Sequence, residues 1–153
     1  MIRPVEPRDI RFLRDMLHHA FYRREVPAGQ DEQPVYRYVM AWGRNGDAGV
    51  LALDEGFPVG AAWYRLFKEA EPGYGFVNEQ TPELAIAVVP SRRGRGLGKE
   101  MLEALIARAK RDGFARLSLS VDRDNPSIGL YESFGFHKVE EHGRSATMLV
   151  ELQ

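Results

Sequence analysis

"SRRGRGLGKE", Ser91 to Glu100, sets three arginines, a lysine and three glycines within ten positions. Taken alone, such a stretch fits an arginine-glycine segment for RNA, a loop that cradles phosphate, or a solvated basic turn. Its neighbours decide. Upstream, "ELAIAVV" (83–89) is short, apolar and rich in β-formers, the pattern of a strand buried on both faces. Downstream, Leu97, Met101, Leu102, Leu105, Ile106 and Ala109 recur at helical spacing, and Gly113 ends the run. The basic loop therefore lies at a strand-to-helix junction, where a helix N-terminus presents unpaired N–H groups and the positive end of its dipole. Glycines let backbone approach a ligand closely, and arginines offer bidentate charge to phosphate oxygens. Together they make a phosphate cradle.

Two familiar cradles fail. Walker A requires Ser or Thr after Gly98-Lys99, where Glu100 stands, and its first glycine would fall on Arg93. The dinucleotide pattern G-x-G-x-x-G, begun at Gly94 and Gly96, meets Lys99 instead of its third glycine.

The rest of the chain reads as one globular domain. It has 153 residues, 44% hydrophobic and 28% charged, a size suited to one substantial core. Lys and Arg number 21 against 22 Asp and Glu, a net charge of -1, so the local cluster stands on a neutral background that argues against nucleic acid. With no cysteine, disulfides, thiolate metal sites and a cysteine nucleophile are excluded. No apolar run reaches a membrane span of about 18 residues, and "MIRPVEPRDI" carries charge where a signal peptide would be apolar. A cytoplasmic location is expected.

The periodicities predict a short strand at "MIRPV", a helix from Pro7 with Asp9 as its cap, and a loop over 24–34. A second helix, "VYRYVMAWG", follows and stops at Gly43. "VLAL" and "VGAAWYRLF" form a hairpin around "DEGFP", and 68–82 is a polar loop. "ARLSLSVD" (115–122) alternates strictly as a strand, a short helix covers about 126–134, and "FHKVEEH" and "TMLVEL" are final strands. This order of hairpins with one strand-helix-strand crossover suggests an α/β sheet of mixed direction.

Arg93, Gly96 and Gly98 fit R-x-x-G-x-G, and "DNPSIGLYESFGF" (124–136) fits N-P-x-x-x-L-Y-x-x-x-G-F through Asn125, Pro126, Leu130, Tyr131, Gly135 and Phe136. On these two motifs, separated by one helix and one alternating strand, the chain resembles the GNAT N-acetyltransferase superfamily. The resemblance implies a single α/β domain over residues 1–153, with a mixed, mostly antiparallel sheet of six or seven strands flanked by about four helices. It implies acetyl-CoA as co-substrate, its pyrophosphate held by Arg93, Gly94, Arg95, Gly96, Leu97, Gly98 and Lys99. Backbone N–H groups of Ala87, Val88 and Val89, on a strand that splays from its neighbour, would meet the cofactor and its thioester carbonyl. Tyr131 would protonate the departing thiolate, a phenol of pKa ~10 being protonated at neutral pH. Asn125 would meet the pantetheine arm, although Asn before Pro is also a common helix entry.

For the base, the resemblance points to Glu83, with Glu79 second. The spacing from Glu83 to Val88 is one residue shorter than in the family, which reverses a strand's face and reads Glu83 equally as a hydrated loop carboxylate. An ordered water suffices if the amine arrives neutral. The resemblance implies an amine acceptor: a small molecule, a protein N-terminus or a lysine. It enters near "HHAFYRREVPAGQDEQPVYRY", "EPGYGFVNEQTPE" and "HGRSA", where Asp31, Glu32 and Glu79 could receive a cation. Trp63 or Arg65 could face it; His18 and His19 read as partly exposed helical histidines. No metal, nucleic-acid or membrane partner is expected, and by analogy the final strands can pair two copies as a homodimer. Two rival readings stand beside transfer: a non-catalytic acyl-CoA sensor or scaffold, and RNA binding through "RRGRG".

Overall fold

The computed structural model describes residues 1–21 and 33–152. Strand β1 (Ile2–Pro4) leads through a 3-10 turn (Pro7–Asp9) into helix α1 (Ile10–Phe21). A single helical turn, α2 (Gln33–Tyr36), precedes the hairpin of β2 (Ala48–Asp54) and β3 (Phe57–Arg65). Then come β4 (Glu83–Val88), a 3-10 turn (Pro90–Arg92), α3 (Leu97–Arg111), β5 (Arg116–Asp122), α4 (Ile128–Ser133), β6 (His137–His142) and β7 (Ser145–Glu151). Hydrogen bonding orders the seven strands β1-β2-β3-β4-β5-β7-β6. The β1·β2, β2·β3, β5·β7 and β6·β7 pairs are antiparallel, and β4·β5 is parallel. This is the expected mixed, mostly antiparallel sheet. A parallel pair requires a crossover, which α3 provides. Three helices exceed one turn among the described residues, slightly short of the expected four.

The shortfall is the second helix. The run "VYRYVMAWG" keeps helical structure only to Tyr36. Beyond it, Tyr38 N–H donates to Val35 O at 3.2 Å, and Val39 and Met40 N–H both to Tyr36 O at 3.1 and 2.9 Å, isolated turns that do not propagate into a helix. β-branched and aromatic residues favour the helix weakly, and left-handed backbone at Ala41 and Gly43 ends the segment. The loop assigned to 24–34 lies mostly outside the described residues, as do Asp31 and Glu32.

By contact the chain divides into two compact units, Met1–Tyr64 with Ala85–Leu105, and Arg65–Leu84 with Ile106–Gln153. In the first, Arg3 donates to both carboxylate oxygens of Asp9, at 2.8 and 2.9 Å, and Asp9 also accepts the Glu6 N–H at 2.8 Å. Asp9 therefore closes the 3-10 turn back onto Glu6, whereas the sequence pattern made it the cap of the helix itself. The Arg3 hydrogen bond holds the Asp9 carboxyl below the usual carboxylate range, against the opposing effect of burial. Folding stability from this pair is present above the unfolded value of about 3.9 and is lost as pH falls. Leu13, Met16 and Leu17 of α1 are buried, as are Leu51, Ala52, Ala61 and Ala62 of the hairpin. Trp63 is also buried, its Nε1–H donating to Tyr38 O at 2.9 Å, so this side chain is committed to the core and not to an acceptor. Glu55 and Gly56 at the hairpin tip both have positive φ, the two-residue turn whose twist suits an antiparallel pair.

In the second unit β5 is registered along its whole length with β7, from Arg116 opposite Glu151 to Asp122 opposite Ser145. Its ladder with β4 is one pair, Glu83 opposite Ser118, beside a 3.0 Å bond from Ser118 N–H to Pro82 O. The 66–82 loop returns across β5 just beyond that pair. A Cβ on Gly75 would lie 2.6 Å from Leu119 C and 2.7 Å from Ser120 N, so only glycine permits this approach. At the sheet edge β6 is exposed throughout and carries Lys138, Glu140 and Glu141 with a register shift between Lys138 and Glu140. Charge and irregularity of this kind discourage pairing with stray strands.

Gly75→Ala is expected to destabilise by on the order of 2 kcal/mol, or roughly 4–8 °C in Tm for a chain of this size. Gly129→Ala on α4, where the added Cβ meets nothing within 4 Å, should leave Tm unchanged or slightly raised. Thermal melts followed by circular dichroism compare the two; equal losses would contradict the close approach at Gly75.

Candidate active site

The first unit holds the basic loop. Gly94 and Gly96 have φ of +79° and +81°, and a Cβ on either would meet nothing within 4 Å. Left-handed backbone and open space coincide at these two positions. The first bond of α3 runs from Glu100 N–H to Gly96 O at 3.1 Å, so the N–H groups of Leu97, Gly98 and Lys99 precede it and have no intrahelical acceptor. Arg93, Arg95 and Lys99 are exposed around them. Arg93 Nε–H donates to Val88 O at 3.1 Å, which braces the loop on the strand behind it. Arg92, not singled out in the sequence, donates to Asp54 Oδ2 at 2.7 Å and ties the 3-10 turn to the β2–β3 hairpin. A pattern search could not pair these residues, because 38 positions separate them.

Behind the loop, β4 does not leave all three expected N–H groups open. Val89 N–H donates to Val59 O at 2.8 Å and is used within the sheet. Successive residues of a strand direct their N–H groups to opposite edges, so Ala87 shares the Val89 edge and Val88 points its N–H away from β3. The reason for the correction is this alternation: three consecutive residues cannot all donate on one side. Val88 is the N–H that remains directed away from that ladder.

In the second unit, α4 begins where Asn125 Oδ1 accepts the Ser127 N–H at 2.8 Å, the helix-entry geometry of an Asx turn. This engages the side-chain carbonyl in the helix entry. The helix ends with Phe136 N–H on Tyr131 O at 3.1 Å and Gly135 N–H on Glu132 O at 3.0 Å, with Gly135 at φ +97°. These two bonds form a Schellman cap. The hydrophobic contact that accompanies such a cap is the Phe136 ring against Tyr131, centroids 6.0 Å apart. The "GF" of the motif thus fixes the backbone and ring of Tyr131. α3 closes in the same way, Phe114 N–H to Ala109 O and Gly113 N–H to Lys110 O. Burial pushes the Tyr131 phenol well above its ordinary pKa, so it stays protonated at neutral pH.

The carboxylates separate clearly. Glu83 is 1% exposed at the start of β4, in register with Ser118. Glu79 accepts the Glu69 N–H at 2.9 Å and lies 4.0 Å from Lys68 Nζ, which makes it a closure of its own loop. Arg65 is fully buried and so is not an exposed acceptor contact. On α1, His19 is held below the ordinary imidazole pKa, first by burial, then by the charges of Arg93 and His18. It is neutral at physiological pH and close enough to the loop to sense Arg93. No local pattern signals this, because His19 and Arg93 are 74 positions apart.

Because the folded Tyr131 pKa is raised, its contribution to stability is intact below the unfolded value of about 10 and is lost as pH rises past it. Tyr131→Phe should therefore flatten the alkaline fall in stability, read as urea midpoints at about pH 8 and about pH 11. An identical alkaline fall in both proteins would contradict a buried phenol.

Among the described residues no group of three or more His, Asp or Glu is arranged to hold a metal ion, and no helix is long and apolar enough to cross a membrane. The family model for "Acetyltransferase (GNAT) family" matches residues 10–136. A mycothiol acetyltransferase of Corynebacterium aurimucosum is 31% identical over 105 residues, 68% of this chain and 31% of that protein. An L-methionine sulfoximine/L-methionine sulfone acetyltransferase of Pseudomonas paraeruginosa is 35% identical over 74 residues, 48% of this chain and 42% of the relative. The matched segments thus span about a third to two fifths of these relatives. A phosphinothricin acetyltransferase from Sinorhizobium meliloti, solved with AcCoA, superposes with a TM-score of 0.72 at 26% identity, over 99% of this chain and 88% of the other. An N-acetyltransferase from Staphylococcus aureus Mu50 shares the fold with a TM-score of 0.74 at 22% identity, over 100% and 98% of the two chains. With its loop, its capped tyrosine helix and a family match running from α1 to Phe136, the chain belongs to the GNAT acetyltransferase family.

Proposed function

We propose that residues 1–153 act as one N-acetyltransferase domain that moves the acetyl group of acetyl-CoA to a primary amine by direct attack. The observation that carries this reading is the loop at the start of α3. Two left-handed glycines with open space above them, three helix N–H groups without intrahelical acceptors and three exposed cations suit a pyrophosphate. Arg93 contributes twice, bracing the loop through Val88 O and offering its remaining guanidinium N–H groups to phosphate.

Acetyl-CoA supplies an activated acyl group. The amine nitrogen bonds to the thioester carbon, the carbonyl oxygen takes up negative charge, and collapse breaks the carbon–sulfur bond. Val88 N–H is the backbone donor we assign to the developing oxyanion, a role worth on the order of 3 kcal/mol when preorganised. Tyr131 donates its proton to the departing sulfur. Glu83 accepts the proton that the amine must lose, so protons balance across the step. The absence of cysteine agrees with one displacement and no acyl-enzyme.

The acceptor class follows less directly. Relatives are named for mycothiol, for L-methionine sulfoximine or sulfone, and for an alanine of ribosomal protein bS18. An amine panel should therefore include small molecules and peptide N-termini. Turnover with any member separates an enzyme from a non-catalytic acyl-CoA sensor, the second reading that the same loop would serve.

Calorimetric titration with acetyl-CoA should show micromolar binding by the native chain. Arg93→Ala combined with Gly96→Trp should abolish it, with circular dichroism confirming that the variant is folded. Native protein that folds and does not bind would defeat the proposal. In an active pair, Tyr131→Phe should lower kcat by about 10²-fold with the KM for acetyl-CoA little changed. An unchanged kcat would remove Tyr131 from the mechanism.

A further inference from the structure

Three buried polar side chains share one face of the second unit's strands. Glu83 is in register with Ser118 across the β4·β5 ladder, and Ser118 and Ser120 lie opposite Leu149 and Thr147 across the β5·β7 ladder. Side chains in register share a face, and residues two apart on a strand do as well. Glu83, Ser118 and Thr147 therefore form a polar row across β4, β5 and β7, at 1%, 0% and 1% exposure. The opposite face is apolar, with Leu117, Leu119, Val121, Met148 and Val150, and there Gly135 at the end of α4 approaches Val150 Cγ2.

Among the described residues, neither Ser118 Oγ nor Thr147 Oγ1 has a hydrogen-bond partner. A buried hydroxyl left unsatisfied costs about 1–3 kcal/mol, and buried polar groups in folded proteins nearly always find protein or water. Ser118 and Thr147 are diagonal neighbours, their Cα atoms roughly 7 Å apart; their hydroxyls do not bond each other, and one water about 2.8 Å from each can bridge hydroxyls across such a pair. Glu83 stands on the same face, in register with Ser118 on its other side.

We propose that Ser118 and Thr147 hold a buried water against Glu83 and that this water orients the carboxylate as proton acceptor. Ser118 and Thr147 are positioning residues. They act through the water and Glu83 and do not touch the reacting atoms. This rests on the reading of Glu83 as the base and extends it to two residues that neither motif contains.

The test joins a high-resolution crystal structure to two substitutions at one position. Thr147→Val keeps the side-chain shape and removes the hydroxyl; Thr147→Ser keeps the hydroxyl and removes a methyl group. The structure should show a water bonded to both hydroxyls. Thr147→Val should lose that water, melt no lower than the native chain, and turn over an acceptor from the amine panel about tenfold more slowly, with the KM for acetyl-CoA unchanged. Thr147→Ser should melt lower yet keep kcat within about twofold. A purely packing role predicts the reverse, with activity following stability. The proposal is overturned by hydroxyls satisfied by a protein side chain, by the absence of the water, or by full turnover in Thr147→Val. Glu83→Gln separates the layers. Full activity there removes Glu83 as base, whereas an inactive Glu83→Gln beside a fully active Thr147→Val removes only the water.

Discussion

The parallel ladder between β4 and β5 stops after one registered pair, Glu83 with Ser118, and much of the proposed chemistry depends on where it stops. A strand that paired on both edges would bury every N–H it owns in the sheet. Here β4 uses the edge that includes Val89 N–H, bonded to Val59 O. The backbone group left pointing the other way, Val88 N–H, has its own carbonyl capped by Arg93. One arginine therefore links the polar backbone of the strand to the loop that follows it. On the other side of the break, Gly75 brings the 66–82 loop against the Leu119–Ser120 peptide, an approach that any side chain at that position would block.

The two motifs do different physical work. In "SRRGRGLG" the glycines matter for what they leave out: positive φ and open space at Gly94 and Gly96 keep the α3 N-terminus accessible. In "LYESFGF" the glycine and phenylalanine matter for what they hold. Gly135 turns the chain, Phe136 N–H caps the Tyr131 carbonyl, and the Phe136 ring packs on the tyrosine. A tyrosine aligned with a family pattern is thus also a tyrosine whose position is set by local hydrogen bonds. Its burial keeps it protonated.

The alternation of "ARLSLSVD", the apolar stripe of α3 and the glycine stops were legible because local periodicity encodes them, and each element fell near its expected place. The second helix failed because "VYRYV" offers an apolar pattern without helix propensity. Asp9 was legible as a capping residue, but its partner Arg3 shifted it to the turn before the helix. What local pattern could not show were contacts across long separations: Asp54 with Arg92, the influence of Arg93 on His19, and the row from Glu83 to Thr147. Strand order and register create these, and neither is written in a ten-residue window. The three backbone donors expected from β4 were reduced by register as well, since a strand's N–H groups alternate whatever its side chains.

Amide hydrogen exchange at Val88 and Val89, followed by NMR with and without acetyl-CoA, tests the central claim most directly. Val89 should exchange slowly in both states, because its N–H is already bonded to Val59 O. Val88 should exchange fast in the free protein and become protected when acetyl-CoA is added. A Val88 amide as protected as Val89 in the free protein, or one that acetyl-CoA leaves unchanged, would contradict a strand edge kept open for the thioester.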